Sequence, residues 1–210
     1  MIVIRANHDI ATSYLFAFSE EPIKEAEAKG LKIAKIEGNE ISEATLRGRI
    51  KNRKPKLIFF SGHGSDTSLF DNHGKEFISM GSADVFKETV TYTIACSCLV
   101  KLGSVAIDEG CYAFIGYKKP FWIARDHKFE STPLKNRIAK PIIECSNIIL
   151  KSLIKGNSVE ESIKKSHEKA ADEILKLIYS KEPLAPASLQ ALVYNDEALS
   201  SKGEASAKII

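Results

Sequence analysis

Lys56-Leu57-Ile58-Phe59-Phe60-Ser61-Gly62-His63-Gly64-Ser65 is an apolar run that ends on a histidine held between two glycines. A strand without polar alternation suits burial on both faces, the condition of a parallel sheet. Working outward, runs of the same kind recur. Residues 1–5 and Leu31–Ile36 read as the first two strands, Thr89–Ala95 as the fourth and Cys111–Tyr117 as the fifth. Between them lie amphipathic stretches. Residues 14–29 form a predicted helix, with Leu15, Phe18, Ile23 and Ala26 near one face and Gly30 as its stop. Ser42 caps a second helix to about Asn52, which Pro55 keeps from continuing. Residues 98–109 read as a third helix, and 64–81, rich in Gly, Asp, Asn and Ser, as a loop or small hairpin.

After Tyr117 the rhythm breaks. Residues 118–140 mix aromatics, charges and two prolines without periodicity, and long ordered loops are more often functional than not. Three helices follow. One covers about 141–155, with Pro141 in its first turn and Gly156 as its stop. The next opens at Ser158, where Glu161 completes a capping box, and the last begins near Pro186. Such alternation predicts one α/β domain over residues 1–210, a parallel sheet with helices on both faces. Sites in such sheets lie beyond the carboxyl ends of the strands.

Composition narrows the classes. The 210 residues are 44% hydrophobic, enough for a full core, and the net charge of +3 gives no case for nucleic-acid binding. No run reaches the roughly 18 apolar residues of a membrane span, and the opening Met1-Ile-Val-Ile4 does not resemble a secretory signal. The expectation is a cytoplasmic chain without membrane partners, whose cysteines, Cys96, Cys98, Cys111 and Cys145, are reduced thiols.

Two strand ends carry chemistry. The third strand runs into His63 and the fourth into Ala95-Cys96-Ser97-Cys98. If these strands are neighbours, His63 and Cys96 emerge on one edge. A free thiol has a pKa of about 8.5, and an imidazole beside it can take its proton to leave the nucleophilic thiolate. The glycines keep the loop thin, and the backbone N–H groups of Gly64 and Cys96 would face a developing oxyanion.

A hydrophobic strand ending in His-Gly, followed by one ending in Ala-Cys, resembles the superfamily of caspases, metacaspases, gingipains, legumains, separases and bacterial CHAT domains. Tyr112-Ala-Phe-Ile-Gly-Tyr117 and then Phe121-Trp122 look like the fifth strand and aromatic loop of its gingipain-like and CHAT-like members. The resemblance covers residues 1 to about 125. It implies a three-layer α/β/α sandwich and a cysteine endopeptidase that forms a thioester acyl-enzyme, with His63 as base and Cys96 as nucleophile. That chemistry needs no cofactor, and the expected partner is a peptide or protein substrate. The chain departs from caspases proper. Ile94 stands in place of Gln, Cys98 in place of Gly, and the 33-residue interval from His63 to Cys96 is shorter than the roughly 50 of caspases. Aspartate specificity is therefore not carried over.

Alternatives stand beside these readings. Gly-His-Gly also suits an ordinary turn, Cys98 is a second possible nucleophile, and Cys111 and Cys145 suit core positions. His63, Asp66 and His73 match no firm metal-ligand spacing, so no metal is expected. Asp9 opens onto the same edge. It suits either a pocket that holds a substrate Lys or Arg, with Trp122 as an apolar wall, or the N-cap of the following helix. A catalytically silent signalling or assembly module of the same fold, or an unrelated α/β hydrolase, remains the competing function.

Overall fold

Alternate side chains of each strand face opposite sides of one sheet, and both sides are buried. In a computed structural model, which describes residues 1–209, the strands are β1 (Ile2–Arg5), β2 (Ala34–Glu37), β3 (Leu57–Ser61), β4 (Ser68–Phe70), β5 (Glu76–Ser79), β6 (Val90–Ile94), β7 (Ala113–Tyr117) and β8 (Leu199–Gly203). Six of them form the central sheet, in the order β2-β1-β3-β6-β7-β8. Its pairings are parallel except the last, in which β8 runs antiparallel to β7. Strands β4 and β5 form a separate antiparallel hairpin.

On one side of the sheet, Val3, Phe59, Tyr92 and Ile115 pack with Tyr14, Leu15 and Phe18 of α1 (Ile10–Ala28) and with Ile143 and Leu150 of α4 (Lys140–Ile154). On the other, Ile4, Ile58, Phe60 and Phe114 meet Leu46 of α2 (Glu43–Arg53), Leu102 and Ala106 of α3 (Leu102–Asp108), and Leu69 and Ile78 of the hairpin. The result is the expected three-layer α/β/α sandwich. Each fully buried Leu, Ile or Phe contributes about 1.5–3 kcal/mol. Helices α5 (Val159–Ile178) and α6 (Ala185–Ala198) add a smaller cluster on the outer side of α4, built on Ile142, Cys145, Ala170 and Leu192. The capping box at Ser158 and Glu161 opens α5 as the sequence indicates. No helix among the described residues is long and apolar enough to cross a membrane.

Several boundaries differ from the sequence expectation. Helix α1 starts four residues earlier than its apolar face, because Asp9 and Thr12 form a capping box. Strand β2 starts at Ala34; Leu31 and Ile33 pack against the core as part-buried anchors ahead of it. Helix α3 waits until Leu102, because Ser97 takes a left-handed φ of 55° and turns the chain first. Strand β8, Leu-Ser-Ser-Lys-Gly, has no apolar pattern; its pairing with β7 supplies what its side chains do not.

Two buried polar devices tie α1 down, one to the sheet and one to α4. Arg5 closes β1 with 1% of its surface exposed, and a charge so buried needs partners. It pairs with Glu20 at 2.7 Å and with Glu37, donates to Ser19 Oγ at 3.2 Å and lies over the Phe16 ring. Within α1, Pro22 has no N–H for the carbonyl of Phe18 one turn earlier. Asn147 of α4 replaces that donor, its Nδ2 reaching Phe18 O at 2.8 Å.

Asn147→Ala orphans a buried carbonyl, so it costs about 1–3 kcal/mol in urea unfolding. In a Pro22→Ala background, where position 22 regains its N–H, the same change costs about 1 kcal/mol less. Equal costs in the two backgrounds would rule out the exchange of donors.

Candidate active site

Parallel register decides which residues leave the sheet side by side. Arg5 of β1 stands opposite Ser61 of β3, and Ser61 stands opposite Ile94 of β6. Two residues further on, β3 delivers His63 and β6 delivers Cys96, while β1 runs into Asn7-His8-Asp9. The alignment continues past the strands: Ala6 N–H donates to Ser61 O at 3.0 Å, and Gly62 N–H to Ile94 O at 3.2 Å.

The two glycines are needed for close approach. A Cβ at Gly62 would stand 2.9 Å from the Phe60 ring and 3.1 Å from Ala6 Cβ. At Gly64 it would stand 3.0 Å from Ala95 Cβ and 3.4 Å from the Cys96 carbonyl oxygen. The His63 loop thus lies directly on the turn that carries Cys96. Among the described residues, neither the Gly64 nor the Cys96 backbone N–H donates to another protein group. Both are available to an incoming acceptor.

The loop after β7 covers Cys96 from the other side. Ser97 N–H donates to Lys119 O at 3.1 Å, and Phe121 N–H points at Cys96 Sγ at 3.4 Å. The next residue, Trp122, is half-exposed and stacks on Tyr194 of α6 with ring centres 4.3 Å apart. Asn195 clamps the Trp122 backbone, accepting from its N–H at 2.9 Å and donating to its carbonyl at 2.7 Å. Trp122 is thereby held beside Phe121, the residue whose N–H meets Cys96 Sγ. Its supports, Tyr194 and Asn195, belong to no motif, and the apolar periodicity of α6 does not mark them.

Only Cys96 among the four cysteines is partly exposed. Burial pushes the thiols of Cys98 and Cys111 up to about 11 and that of Cys145 up to about 12, so all three stay protonated at neutral pH. Cys98 faces the interior, with Sγ 2.8 Å from Thr93 Oγ1. The alternative of Cys98 as nucleophile loses its footing on accessibility and charge state.

Asp9 is at the expected edge but is differently engaged. Its Oδ1 accepts from Thr12 N–H and from the Thr12 hydroxyl, both at 2.8 Å, so the cap is real. Its Oδ2 lies 2.5 Å from His63 Nε2. Partial burial pushes this carboxyl up, but the Thr12 backbone N–H, His63 and the Thr12 hydroxyl outweigh it and bring the pKa down to about 2. One oxygen serves the helix and the other His63, so of the two roles expected for Asp9 the cap is the one seen. Asp66, grouped by sequence with His63 and His73, pairs instead with Lys101 at 2.7 Å. The signal for Thr12 was present as the third residue of a helix capped by Asp9; His8 carried none.

A cavity of about 820 Å³ opens between the turns at 126–140 and the start of α6, but none of the strand-end residues lines it. No protein-family model matches the chain, and no curated protein matches it.

The Asp9 carboxyl titrates at about 2 in the folded chain, against 3.8 for a free side chain. A lowered acid pKa gives stability that is present above the unfolded value and lost as pH falls through the folded one. The stability of the wild type relative to Asp9→Asn therefore declines as pH falls from about 4 to about 2. Urea midpoints across that range measure it, and a pH-independent difference would mean these hydrogen bonds do not hold the carboxylate.

Proposed function

We propose that this chain is a cysteine peptidase of the caspase and gingipain type, in which Cys96 attacks a peptide carbonyl and His63 moves the protons. The observation that carries this reading is that the one part-exposed cysteine and a carboxylate-bound histidine leave neighbouring parallel strands two residues past register-matched positions. With Nε2 of His63 donating to Asp9, Nδ1 is the nitrogen left to accept the thiol proton. The Asp9 carboxylate fixes the ring and stabilises the imidazolium that forms, the role a third group plays in such sites.

The steps follow from those roles. His63 Nδ1 takes the Cys96 proton, and the thiolate sulfur bonds to the substrate carbonyl carbon. The oxyanion draws on the free N–H groups of Gly64 and Cys96, each donor worth on the order of 3 kcal/mol in comparable sites. The C–N bond then breaks, with the imidazolium proton going to the leaving amine. A water molecule, deprotonated by His63, attacks the thioester and releases the acid and the thiol. Trp122 offers an apolar wall to the substrate, and the reduced thiol this requires is that of a cytoplasmic compartment. The reading assigns no basic preference to Asp9.

An acyloxymethyl ketone peptide probe tests the proposal. Labelling falls on Cys96, disappears in Cys96→Ala and persists in Cys98→Ala. His63→Ala lowers kcat/KM at least about a hundredfold. Asp9→Asn lowers kcat at least about tenfold, and equally for basic and neutral peptides, because it acts through His63. Loss of labelling in Cys98→Ala with retention in Cys96→Ala would overturn the assignment.

A further inference from the structure

The chemistry proposed for His63 and Cys96 leaves one neighbour unused. His8, directly before Asp9, meets His63 in an edge-to-face contact, with centroids 5.5 Å apart and planes at 69°. Its Nε2 lies 3.8 Å from Asp9 Oδ2, the same oxygen that sits 2.5 Å from His63 Nε2. One donor atom from each of the three residues falls within 4.8 Å of the others. We propose that His8, Asp9 and His63 bind a divalent cation of the zinc class.

The donor set fits such an ion. Two imidazole nitrogens and one carboxylate oxygen leave a fourth position for water, and imidazole ligands favour zinc over magnesium or calcium. Zinc bonds to these atoms are about 2.0–2.2 Å, so ligand atoms at a tetrahedral angle stand about 3.4 Å apart. The two distances to Asp9 Oδ2 bracket that figure, and side-chain rotations that bring the two imidazoles together, from within 4.8 Å, complete the set.

The backbone holds these groups in place before any ion arrives. Asn7 N–H donates to Asn72 Oδ1 at 2.8 Å, and the His8 and Asp9 N–H groups donate to Thr12 Oγ1 at 3.0 and 3.1 Å. Thr12 also occupies Asp9 Oδ1, which directs Oδ2 outward. Such outer partners orient metal-binding carboxylates. The acidic charge and two ring nitrogens therefore converge on a preformed loop.

Occupancy has a chemical consequence for His63, which rests on the peptidase reading while the site itself does not. The ion takes the Nε2 lone pair, so the Nε2 proton must leave, and the neutral ring carries its proton on Nδ1 instead. That nitrogen then has no lone pair for the Cys96 proton. The ion and the general base compete for one imidazole, and zinc is a reversible inhibitor.

The test titrates the full chain with Co²⁺ alone, read by visible absorption, then displaces it with Zn²⁺. One equivalent binds without a thiolate charge-transfer band, and Cys96→Ala binds equally well. His8→Ala weakens binding at least about a hundredfold, beyond the 10–100-fold typical of losing an outer partner, while His73→Ala has no effect. His8→Ala keeps the metal-free rate of probe labelling at Cys96 and needs at least about a hundredfold more zinc to block it. Wild-type affinity in His8→Ala, or loss of binding in Cys96→Ala, overturns the site. Binding without any slowing of labelling overturns the inhibition. A chain that is never labelled refutes the peptidase reading, and cobalt binding still decides the site.

Discussion

The constraint on which everything else depends is the common register of three parallel strands, Arg5 against Ser61 against Ile94. Side chains alternate across a strand, so a slip of one residue would turn every buried group to the opposite layer. Both faces here are apolar and covered, and either slip would drive Phe59 and Phe60 into the wrong helices. The register is thus held by the whole core. Its by-product is that the residues just past the strands, Asp9, His63 and Cys96, cannot choose their neighbours independently.

Asp9 links that edge to the rest of the fold. One carboxylate oxygen ends α1 and the other meets His63, so the helix start and the ring orientation are set by the same side chain. Helix α1 is in turn anchored at two further points, by Arg5 through Ser19 and Glu20 and by Asn147 through the carbonyl that Pro22 leaves open. The position of the imidazole therefore inherits the rigidity of a helix packed on the sheet. Burial does the complementary work on the thiols. It raises three of them beyond reach of neutral pH and leaves Cys96 at the surface turn.

The last third of the chain adds to the site from outside the sheet. Strand β8 extends the sheet beside β7, and α6 just before it presents Tyr194 and Asn195 to the loop that covers Cys96. The clamp adds to contacts the loop already has with the Cys96 turn, through Lys119 and Phe121, and with Tyr117 through the Phe121 ring.

The amino-acid sequence alone determined the class of fold, most strand and helix positions, and the delivery of His63 and Cys96 to strand ends, because each is written in local signals: continuous apolar runs, caps and glycines. It also marked Asp9 as either a pocket residue or a cap. Tertiary structure shows the cap and supplied a partner no spacing reveals, since Asp9 and His63 are 54 residues apart. The same holds for Asn195 on Trp122, 73 residues away, for Asn147 on Phe18, 129 residues away, and for the pairing of polar β8 with β7. A hydrogen bond between distant segments depends on where the core places their backbones, and no local pattern records that distance. That is why the elements were legible in the sequence while the companions of His63 and Cys96 were not.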